Sequence, residues 1–449
     1  MDLTAQAAGA NAPVLELRPG ARAWFALGVL VVLAFVSYLD RQIIALMVVP
    51  IEHDLHIRDT EVGLLQGLAF VIGYPIFAIP IGYAADRYSR RWVIFLAAAF
   101  WAICAMASGL AASFGELFLA RVGVGLGEAA VAPAVGSLLS DIFPKRRLAT
   151  IFSIYGSGVI LGSGAALWLG EAVLEWAKGG VDWPLLGHLE AWQVAFIVTG
   201  APALVLGFLV FLVPDPGRSG GIDAAAAAPW SEVFAFVRRS WLFLICFVVG
   251  QTFLMFCSTA GLAWMPAIMQ RSFGWHAAEL GSLLAIWVAV FGFSGQMTNG
   301  LIVDRMFRKH PDAHLRYYVV GALIIAASAA LAVLAPMALL YLAFLFPLKM
   351  LLNFSGVLGA AIQVATPSRM RGRVSAVTFL IINTIGAMGG PSIVAFFTDH
   401  LFHDRNKVIW SLSLTVGIAT PLAALLFWIG LKPMREAVQR DRAAEPVRA

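Results

Sequence analysis

The chain of 449 residues has few charged side chains and almost no cysteine. Only 13% of its residues are charged, whereas 60% are hydrophobic. A water-soluble protein of this composition would lack the polar surface that keeps it in solution. Its cysteines, Cys104, Cys246 and Cys257, all lie inside apolar runs. Their positions argue against both a metal cluster and a structural disulfide.

The sequence also lacks signatures of nucleotide chemistry. It has no Gly-x-x-x-x-Gly-Lys-Ser/Thr motif and no cytoplasmic segment long enough for an ATP-hydrolysing domain. Gly123, Gly125 and Gly127 lie in an apolar run and follow no strand, so they do not form a dinucleotide fingerprint. We therefore expect no enzymatic activity and no cofactor, and any transport must use an ion or substrate gradient. The first 22 residues do not resemble a signal peptide, so the first apolar run should be retained.

Long apolar runs are abundant, and each can cross about 30 Å of hydrocarbon as a helix. They lie roughly at residues 24–50, 62–84, 92–112, 117–140, 148–170, 192–213, 241–269, 278–303, 317–335, 337–364, 375–398 and 408–431. The boundary at Pro336 is the least distinct, because the stretch around it is nearly unbroken. The predicted fold is an all-α membrane protein with twelve transmembrane helices.

Lys and Arg are distributed unequally between the two sides of these spans. If the N-terminus is cytoplasmic, the cytoplasmic loops and tails hold 23 of the 31 Lys and Arg, and the opposite loops hold five. Because positive charge is retained on the cytoplasmic side, we expect both termini in the cytoplasm of a cell membrane, the inner membrane in a bacterium. Anionic lipid headgroups then account for the basic loops without a nucleic-acid partner.

A charged motif occurs twice, 218 positions apart. The first copy is Gly82-Tyr-Ala-Ala-Asp86-Arg87-Tyr-Ser-Arg90-Arg91, and the second is Gly300-Leu-Ile-Val-Asp304-Arg305-Met-Phe-Arg308-Lys309. Five aligned positions with identical spacing indicate gene duplication. Paired membrane halves are the architecture of transporters that rock around a central site.

The duplication divides the chain into two six-helix halves, residues 23–213 and 241–431. The remaining predicted segments are a cytoplasmic tail at 1–22, a cytoplasmic linker at 214–240 and a second tail at 432–449. At the end of the linker, Trp230, Phe234 and Val237 fall on one side at helical spacing. This pattern predicts a short helix lying on the membrane surface.

The repeated motif resembles the hallmark loop of the major facilitator superfamily, between spans two and three. Within that superfamily, four further segments resemble the spinster family: Asp40-Arg41, Leu64-Leu-Gln-Gly67, Arg121-Val-Gly-Val-Gly-Leu-Gly-Glu128 and Ser153-Ile-Tyr155. Ser89 departs from the glycine common in the superfamily motif. The resemblance implies alternating access. Since eukaryotic spinster proteins are associated with export of sphingosine phosphate and lysophospholipids, it also implies an amphipathic, lipid-like substrate.

The resemblance further implies that the motif loop is a gate latch at the cytoplasmic rim. Glycines at the motif starts permit close helix approach, and the Asp and Arg side chains can pair with each other and with helix ends. The predicted gating residues are Gly82, Asp86, Arg87, Arg90, Arg91, Asp304 and Arg305. The alternative is that these cations only set the topology.

Beyond the first two positions of each predicted span, five charged residues lie inside the spans: Asp40, Arg41, Arg121, Glu128 and Lys349. A charge in the bilayer is costly unless it faces protein or water, so we expect these residues to be functional. Asp40 and Glu128 lie at about the same depth, roughly 17 Å from the periplasmic ends of their spans. Arg121 precedes Glu128 by about two helical turns and shares its face.

This group of residues predicts proton coupling through Asp40, Glu128, Arg41 and Arg121. Burial disfavours an ionised carboxylate and a nearby Arg favours it, so a moving Arg can switch proton affinity. The eight histidines all fall in predicted loops, which makes them poor candidates for this role. The alternative is a structural ion pair between Asp40 and Arg121 that ties span one to span four.

The predicted substrate site draws on both halves. Lys349 lies near the middle of span ten with Asn353 one turn away, so an anionic headgroup would bind there, opposite Arg41 and Arg121. The alternative is that Lys349 extends toward the periplasmic surface. Tyr38, Tyr74 and Tyr155 are candidate cavity aromatics, although most aromatic residues in spans only pack.

Three functions fit these patterns. The first is a proton-coupled carrier of an amphipathic anionic or zwitterionic lipid, of lysophospholipid or sphingosine-phosphate type. The second is an organic-acid/proton symporter or drug/proton antiporter. The third is a non-transporting sensor or scaffold, against which the charges inside the spans argue. We expect a monomer without bound metal, whose partners are its substrate and the membrane lipids.

Overall fold

The computed structural model describes residues 20–72, 89–143, 148–184, 186–213, 230–352, 355–367 and 370–444. In the first half the elements are α1 (Ala21–Ile43), α2 (Val48–Leu55), α3 (Asp59–Gln66), α4 (Leu68–Ile72), α5 (Arg90–Ser108), α6 (Phe114–Ile142), α7 (Leu148–Trp176), β1 (Val181–Trp183), β2 (Gly187–Leu189) and α8 (Ala191–Gly207). The later helices are α9 (Trp230–Arg239), α10 (Trp241–Phe273), α11 (Ala277–Phe307), α12 (Ala313–Ala332), α13 (Ala338–Phe344), α14 (Phe346–Leu351), α15 (Ser355–Ala365), α16 (Arg371–Phe396) and α17 (Val408–Ala444).

Nine helices in these ranges are long and apolar enough to span a membrane. This agrees with the predicted all-α membrane fold and is consistent with twelve spans. The other three predicted spans are shortened or interrupted: 62–84 passes beyond the described residues after Ile72, α11 has only a shorter apolar stretch at Leu280–Gly292, and 337–364 is divided among α13, α14 and α15.

Local sequence signals explain several helix boundaries. Before α6, the hydroxyl of Ser113 accepts a hydrogen bond from the backbone N–H of Glu116 at 3.3 Å. At α8, the side chain of Gln193 accepts a hydrogen bond from the backbone N–H of Glu190 at 2.9 Å. Helix α10 ends at Gly274, whose φ of 70° lies in the left-handed region. Span ten is broken before Pro347, which lies in the first turn of α14.

The helices of each half pack mainly on one another. In the first half α1 lies against α7 and α8, and α5 lies between α6 and α8. In the second half α10 lies against α16 and α17, and α12 lies against α17. Among the described residues, α4 with α16 and α2 with α10 make small contacts between the halves, and the two most extensive pairs are α3 with α16 and α7 with α11. Under the sequence repeat these last two pairs are equivalent, since spans two and five correspond to spans eight and eleven.

Glycine allows the closest approach between α3 and α16. A Cβ atom on Gly63 would lie 2.7 Å from the Cβ of Ala395, and one on Gly67 would lie 2.5 Å from the carbonyl oxygen of Met388. The hydroxyl of Ser392 donates to the Gly63 carbonyl across this contact at 3.2 Å. Small residues let helix backbones touch in this way. At Gly300, by contrast, a Cβ would meet nothing within 4 Å, so no helix approaches closely there in this conformation, and its role in the gate stays a prediction.

Three local features refine the sequence predictions. The acidic loop at 171–191 contains the antiparallel hairpin of β1 and β2, in which Asp182 faces His188. His314, predicted to lie in a loop, is instead buried in the first turn of α12. Helix α9 is present where the sequence predicts one, with Phe234 exposed; its placement on the membrane surface remains a prediction.

Candidate functional site

A cavity of about 320 Å³ lies between the two halves, midway along the spans. Helices α1, α6 and α7 form one wall, and α10, α11, α14 and α16 form the other. Its polar and charged lining residues are Ser37, Tyr38, Arg41, Gln42, Glu128, Tyr155, Ser163, Ser258, Thr259, Lys349, Asn383 and Thr384. The cavity therefore presents polar groups from both halves to a common space.

One face of α1 places a cation in this cavity. Ser37 and Arg41 are four residues apart and hence lie on the same side of the helix, beside Tyr38. The guanidinium carbon of Arg41 lies 5.6 Å from the centre of the Tyr38 ring. A contact of this kind stabilises the cation and fixes its direction.

Glu128 is the acidic residue among the described side chains that line the cavity. It is 8% exposed, and its Oε1 accepts no hydrogen bond within the described part of the protein. Ser37 is its hydrogen-bonding neighbour, and Arg41 is the strongest of the charges that act on it, ahead of Asp40 and Arg121. Asp40 is thus close enough to act electrostatically on Glu128, and a site shared by the two carboxyl groups stays a prediction. Only Glu128, however, faces the cavity.

Asp40 and Arg121 form a buried pair behind this wall. Nη1 of Arg121 lies 3.6 Å from Oδ2 of Asp40 and 3.4 Å from the Asp40 carbonyl oxygen. The guanidinium also covers the ring of Phe196, 4.2 Å from its centre. Arg121 thus connects α6 to α1 and α8. This geometry agrees with the alternative considered above, a structural ion pair that ties span one to span four. A role for Asp40 and Arg121 in coupling or substrate binding stays a prediction.

Lys349 lies where the cavity meets a second, apolar crevice. Its side chain is half-buried near the end of α14 and lines both spaces, together with Ser258, Leu262 and Val288. The apolar crevice continues along Leu167, Gly261, Met265, Leu284, Trp287 and Leu348. A cation thus stands at the junction of a polar space and an apolar one.

Several predicted residues lie elsewhere. Tyr74, Asn353, Gly82, Asp86 and Arg87 fall outside the described residues. Arg90 is buried and Arg91 half-buried at the start of α5, whereas Asp304 and Arg305 are exposed near the end of α11. In the described ranges no group of three or more His, Cys, Asp or Glu is placed to hold a metal ion.

A second charged cluster joins the halves, and the sequence did not indicate it. We call Glu52, Asp59 and Arg271 the seam cluster. Nη1 of Arg271, from α10, donates to Oδ2 of Asp59 at 2.8 Å, and Nη2 donates to Oε2 of Glu52. All three side chains are at most 8% exposed. By the predicted orientation the cluster lies on the periplasmic side of the cavity.

Neighbouring contacts extend the seam cluster. Nη2 of Arg405 donates to the carbonyl oxygen of Ile57 at 2.8 Å, and Oδ2 of Asp399 accepts from the backbone N–H and the hydroxyl of Thr60, both at 2.6 Å. Burial raises the pKa of Glu52 to about 8, a hydrogen bond with Asp59 acts in the same direction, and Arg271 opposes both. The partners of Arg271 are 212 and 219 residues away, so no spacing in the sequence could have linked them.

The sequence and the fold of this chain are both similar to those of known proteins. The sequence model of the Major Facilitator Superfamily matches residues 30–391. An "MFS-type efflux pump" from Mycolicibacterium smegmatis is 28% identical over 91% of this chain and 92% of its own, and "Protein spinster" from Drosophila melanogaster is 24% identical over 86% and 64%. The fold is similar to a crystal structure of a bacterial homolog of the human lysosomal transporter Spinster, inward-facing and unoccupied, with a TM-score of 0.76, 22% identity and coverage of 96% and 99%.

Proposed function

Since the chain belongs to the major facilitator superfamily of membrane transporters, we propose that it is a proton-coupled carrier of an amphipathic anionic or zwitterionic lipid, of lysophospholipid or sphingosine-phosphate type. It would work by alternating access in a cell membrane, with both termini in the cytoplasm. The observation that carries the proposal is the position of Lys349, where a polar cavity and an apolar crevice meet.

The charge balance of the cavity favours an anionic headgroup. Its described lining contains two cations, Arg41 and Lys349, and one carboxyl group, Glu128. The net charge of this lining is therefore positive when Glu128 is ionised, and it is more positive when Glu128 is protonated. Phosphate oxygens accept charge-assisted hydrogen bonds from Lys and Arg, which are stronger than bonds between neutral groups. A phosphate placed between the two halves would therefore bind to both.

The apolar crevice marks where an acyl tail would lie once the crevice widens, because its present volume of about 20 Å³ holds about one water molecule. It starts beside Lys349 and is lined by Leu167, Met265, Leu284 and Trp287. Burying a methylene group contributes about 0.8 kcal/mol, so a tail in the widened crevice would add affinity with each carbon that it buries. A small organic acid would gain nothing from these side chains, which is why a lipid-like substrate is favoured.

Glu128 is the proposed proton-binding residue. It faces the cavity, where water and substrate arrive, and Arg41 is the charge that acts on it most strongly. The same guanidinium is available to a substrate headgroup, so proton binding and substrate binding would be linked through Arg41. The buried Asp40–Arg121 pair would hold α1 against α6 and α8 during this exchange.

Ligand binding to purified protein tests the substrate class. Replacing Lys349 or Arg41 by Ala should weaken binding of an anionic lysophospholipid by about tenfold or more, since bonds to charged groups contribute about 1.5–3 kcal/mol. A neutral monoacyl lipid of equal tail length should be affected much less. Lys407→Ala, which removes an exposed lysine outside the cavity, is the matched control. Equal losses for both ligands would contradict the assignment of an anionic headgroup.

The crevice can be tested separately. A Cβ on Gly261 would lie 3.1 Å from Cδ2 of Leu348, and a larger side chain there would fill the apolar space. Gly261→Ala should weaken binding of long-tailed lysolipids while leaving short-tailed analogues nearly unchanged. A uniform loss across tail lengths would mean that the tail lies elsewhere.

The similarity to an efflux pump supports a second candidate, a drug/proton antiporter. In that case Glu128, the acid in the described cavity lining, would bind a cationic substrate and a proton in turn. Competition experiments separate the two. Displacement of bound lysolipid by hydrophobic cations, but not by anionic lipids, would favour the antiporter.

A further inference from the structure

The seam cluster contains more negative charge than its cation can balance. Glu52 and Asp59 come from α2 and α3 of the first half, and Arg271 comes from α10 of the second. If both carboxyl groups are ionised, the buried triad carries a net charge of −1. A buried charge without a partner is costly, and one bound proton makes the triad neutral.

The unpaired atoms indicate where that proton lies. Oε1 of Glu52 and Oδ1 of Asp59 are buried and accept no hydrogen bond from the described residues, because Arg271 uses the other oxygen of each. The two carboxyl groups lie close enough for Asp59 to act on Glu52 as a hydrogen-bonding partner, and a bond between two carboxyl groups forms only if one of them holds a proton. A single proton would therefore satisfy two otherwise unpaired buried oxygens.

Other charged groups surround the cluster without neutralising it. His53 and Asp54 on α2 and Arg58 before α3 are exposed, and Asp54 instead accepts from Nε1 of Trp192 at 2.9 Å. Asp399 is bonded to Thr60, and Arg405 to a backbone carbonyl. Glu61 accepts from the backbone N–H of Arg58 at 2.8 Å. Asp59 and Arg271 remain as the two charges that act on Glu52.

We propose that Glu52 and Asp59 bind one proton beneath Arg271 while the two halves are in contact on the periplasmic side, and release it when the halves separate. Arg271 belongs to the opposite half, so separation removes the cation and admits water to both carboxyl groups. Solvated carboxyl groups ionise readily, and the proton returns to the periplasm. This proton crosses no membrane. It is a switch that makes closure of the periplasmic side depend on periplasmic pH.

Closure of the periplasmic side should weaken as pH rises, because the closed state binds a proton more tightly than the open state. The closed state holds the proton with a Glu52 pKa of about 8, whereas a solvated glutamate has a value near 4.5. The closed state therefore binds more protons than the open state between these values, and its advantage falls as pH rises. The ratio of closed to open molecules should decrease by up to about tenfold per pH unit in this window.

This inference rests on the alternating-access part of the proposed function, but not on the substrate or on Glu128. The test is a distance measurement by double electron–electron resonance in lipid nanodiscs. Spin labels replace His53 and Lys407, exposed residues of opposite halves, after substitution of the three native cysteines. Spectra are recorded between about pH 5 and about pH 9. We expect a short distance at acid pH and a growing population of longer distances above neutrality.

Matched variants identify the proton-binding group. Glu52→Gln resembles the protonated acid permanently and should keep the short distance at alkaline pH. Asp59→Asn should do the same and serves if the first variant fails to fold. Asp54→Asn removes a carboxyl group of the same helix whose partner is in its own half, and should respond to pH like the wild type. A wild-type distance that does not change with pH, or an unaltered pH response in both Glu52→Gln and Asp59→Asn, would overturn the proposal.

The same measurement separates this inference from the proposed function. Glu128→Gln should retain the pH-dependent distance even though it loses coupled transport. A normal pH response in a protein that moves no lysolipid would count only against the substrate assignment.

Discussion

Glu128 and Glu52 are both buried glutamates beside an arginine, but they lie in different parts of the molecule. Glu128 faces a central cavity of about 320 Å³, and the arginine that acts on it most strongly, Arg41, belongs to the same half. Glu52 lies where the two halves meet, and its partner Arg271 belongs to the other half. Motion of one half against the other therefore leaves the pair at Glu128 together and separates the pair at Glu52.

The comparison distinguishes two uses of a buried acid. An acid in the cavity meets whatever enters, so its protonation can be linked to substrate binding. An acid in the seam meets only the opposite half, so its protonation can report whether that contact is made. Changes at Glu128 should therefore affect coupled transport most, and changes in the seam should affect opening of the periplasmic side.

Glu128→Gln should abolish accumulation of substrate driven by a proton gradient while retaining exchange of substrate across the membrane. The amide keeps the shape of the side chain but cannot release a proton, so coupling is lost and binding remains. Uptake and counterflow in proteoliposomes measure the two activities. Gradient-driven uptake at the wild-type level would show that the coupling acid is elsewhere.

Arg271→Ala should open the periplasmic side at neutral pH. Removing one partner of a buried ion pair costs about 3–5 kcal/mol, and here two carboxyl groups would be left unbalanced. Acid pH should restore part of the closed population by protonating them. The spin-label distance gives the readout, with exposed Arg58→Ala as the control. A mostly closed Arg271→Ala protein at neutral pH would mean that packing alone holds the seam.

Gly67→Ala should weaken the α3–α16 contact to a smaller extent. The new Cβ would lie 2.5 Å from the Met388 carbonyl oxygen, which cannot move without shifting α16. We expect a shift toward the open state at every pH. Gly300→Ala is the control, because a Cβ there meets nothing within 4 Å. Equal behaviour of the two variants would contradict the importance of close packing in this seam.

The smallest effect is expected at the equivalent contact between α7 and α11. There Oε2 of Glu171 accepts from the backbone N–H of Ser282 at 2.6 Å and from its hydroxyl at 2.7 Å, and no cation among the described residues forms an ion pair with it. Glu171→Gln keeps an accepting oxygen, so the closed state should lose less than about 1 kcal/mol. The pH response should stay like the wild type. A large loss of pH response would place the switch in this seam instead.

Much of the fold could be predicted because its signals are local. Runs of about twenty apolar residues indicate spans, and the 218-residue repeat indicates two halves. The hairpin at Val181–Trp183 and Gly187–Leu189 was missed because strands of three residues are too short for a periodic pattern. The break in span ten was missed because the apolar run continues through Pro347, and composition does not show where a helix ends.

Some of the site residues could likewise be predicted from the sequence, and others could not. Arg41, Glu128 and Lys349 could be selected from the sequence because a charge within an apolar run is rare, and all three line the cavity. Glu52 and Asp59 could not, since charges in loops are ordinary and their partner belongs to the other half. The sequence also grouped Asp40 and Arg121 with the cavity residues, although they lie behind its wall, because depth along a helix does not determine which way a side chain points.

The central claim, that an amphipathic anion and a proton move through one cavity, is tested most directly by measuring both fluxes together. Proteoliposomes containing a lumenal pH indicator receive an anionic lysophospholipid on one side, without an imposed gradient. The account predicts a lumenal pH change that accompanies lipid movement in the wild type and is absent in Glu128→Gln. Lipid movement through the wild-type protein at constant lumenal pH would contradict it.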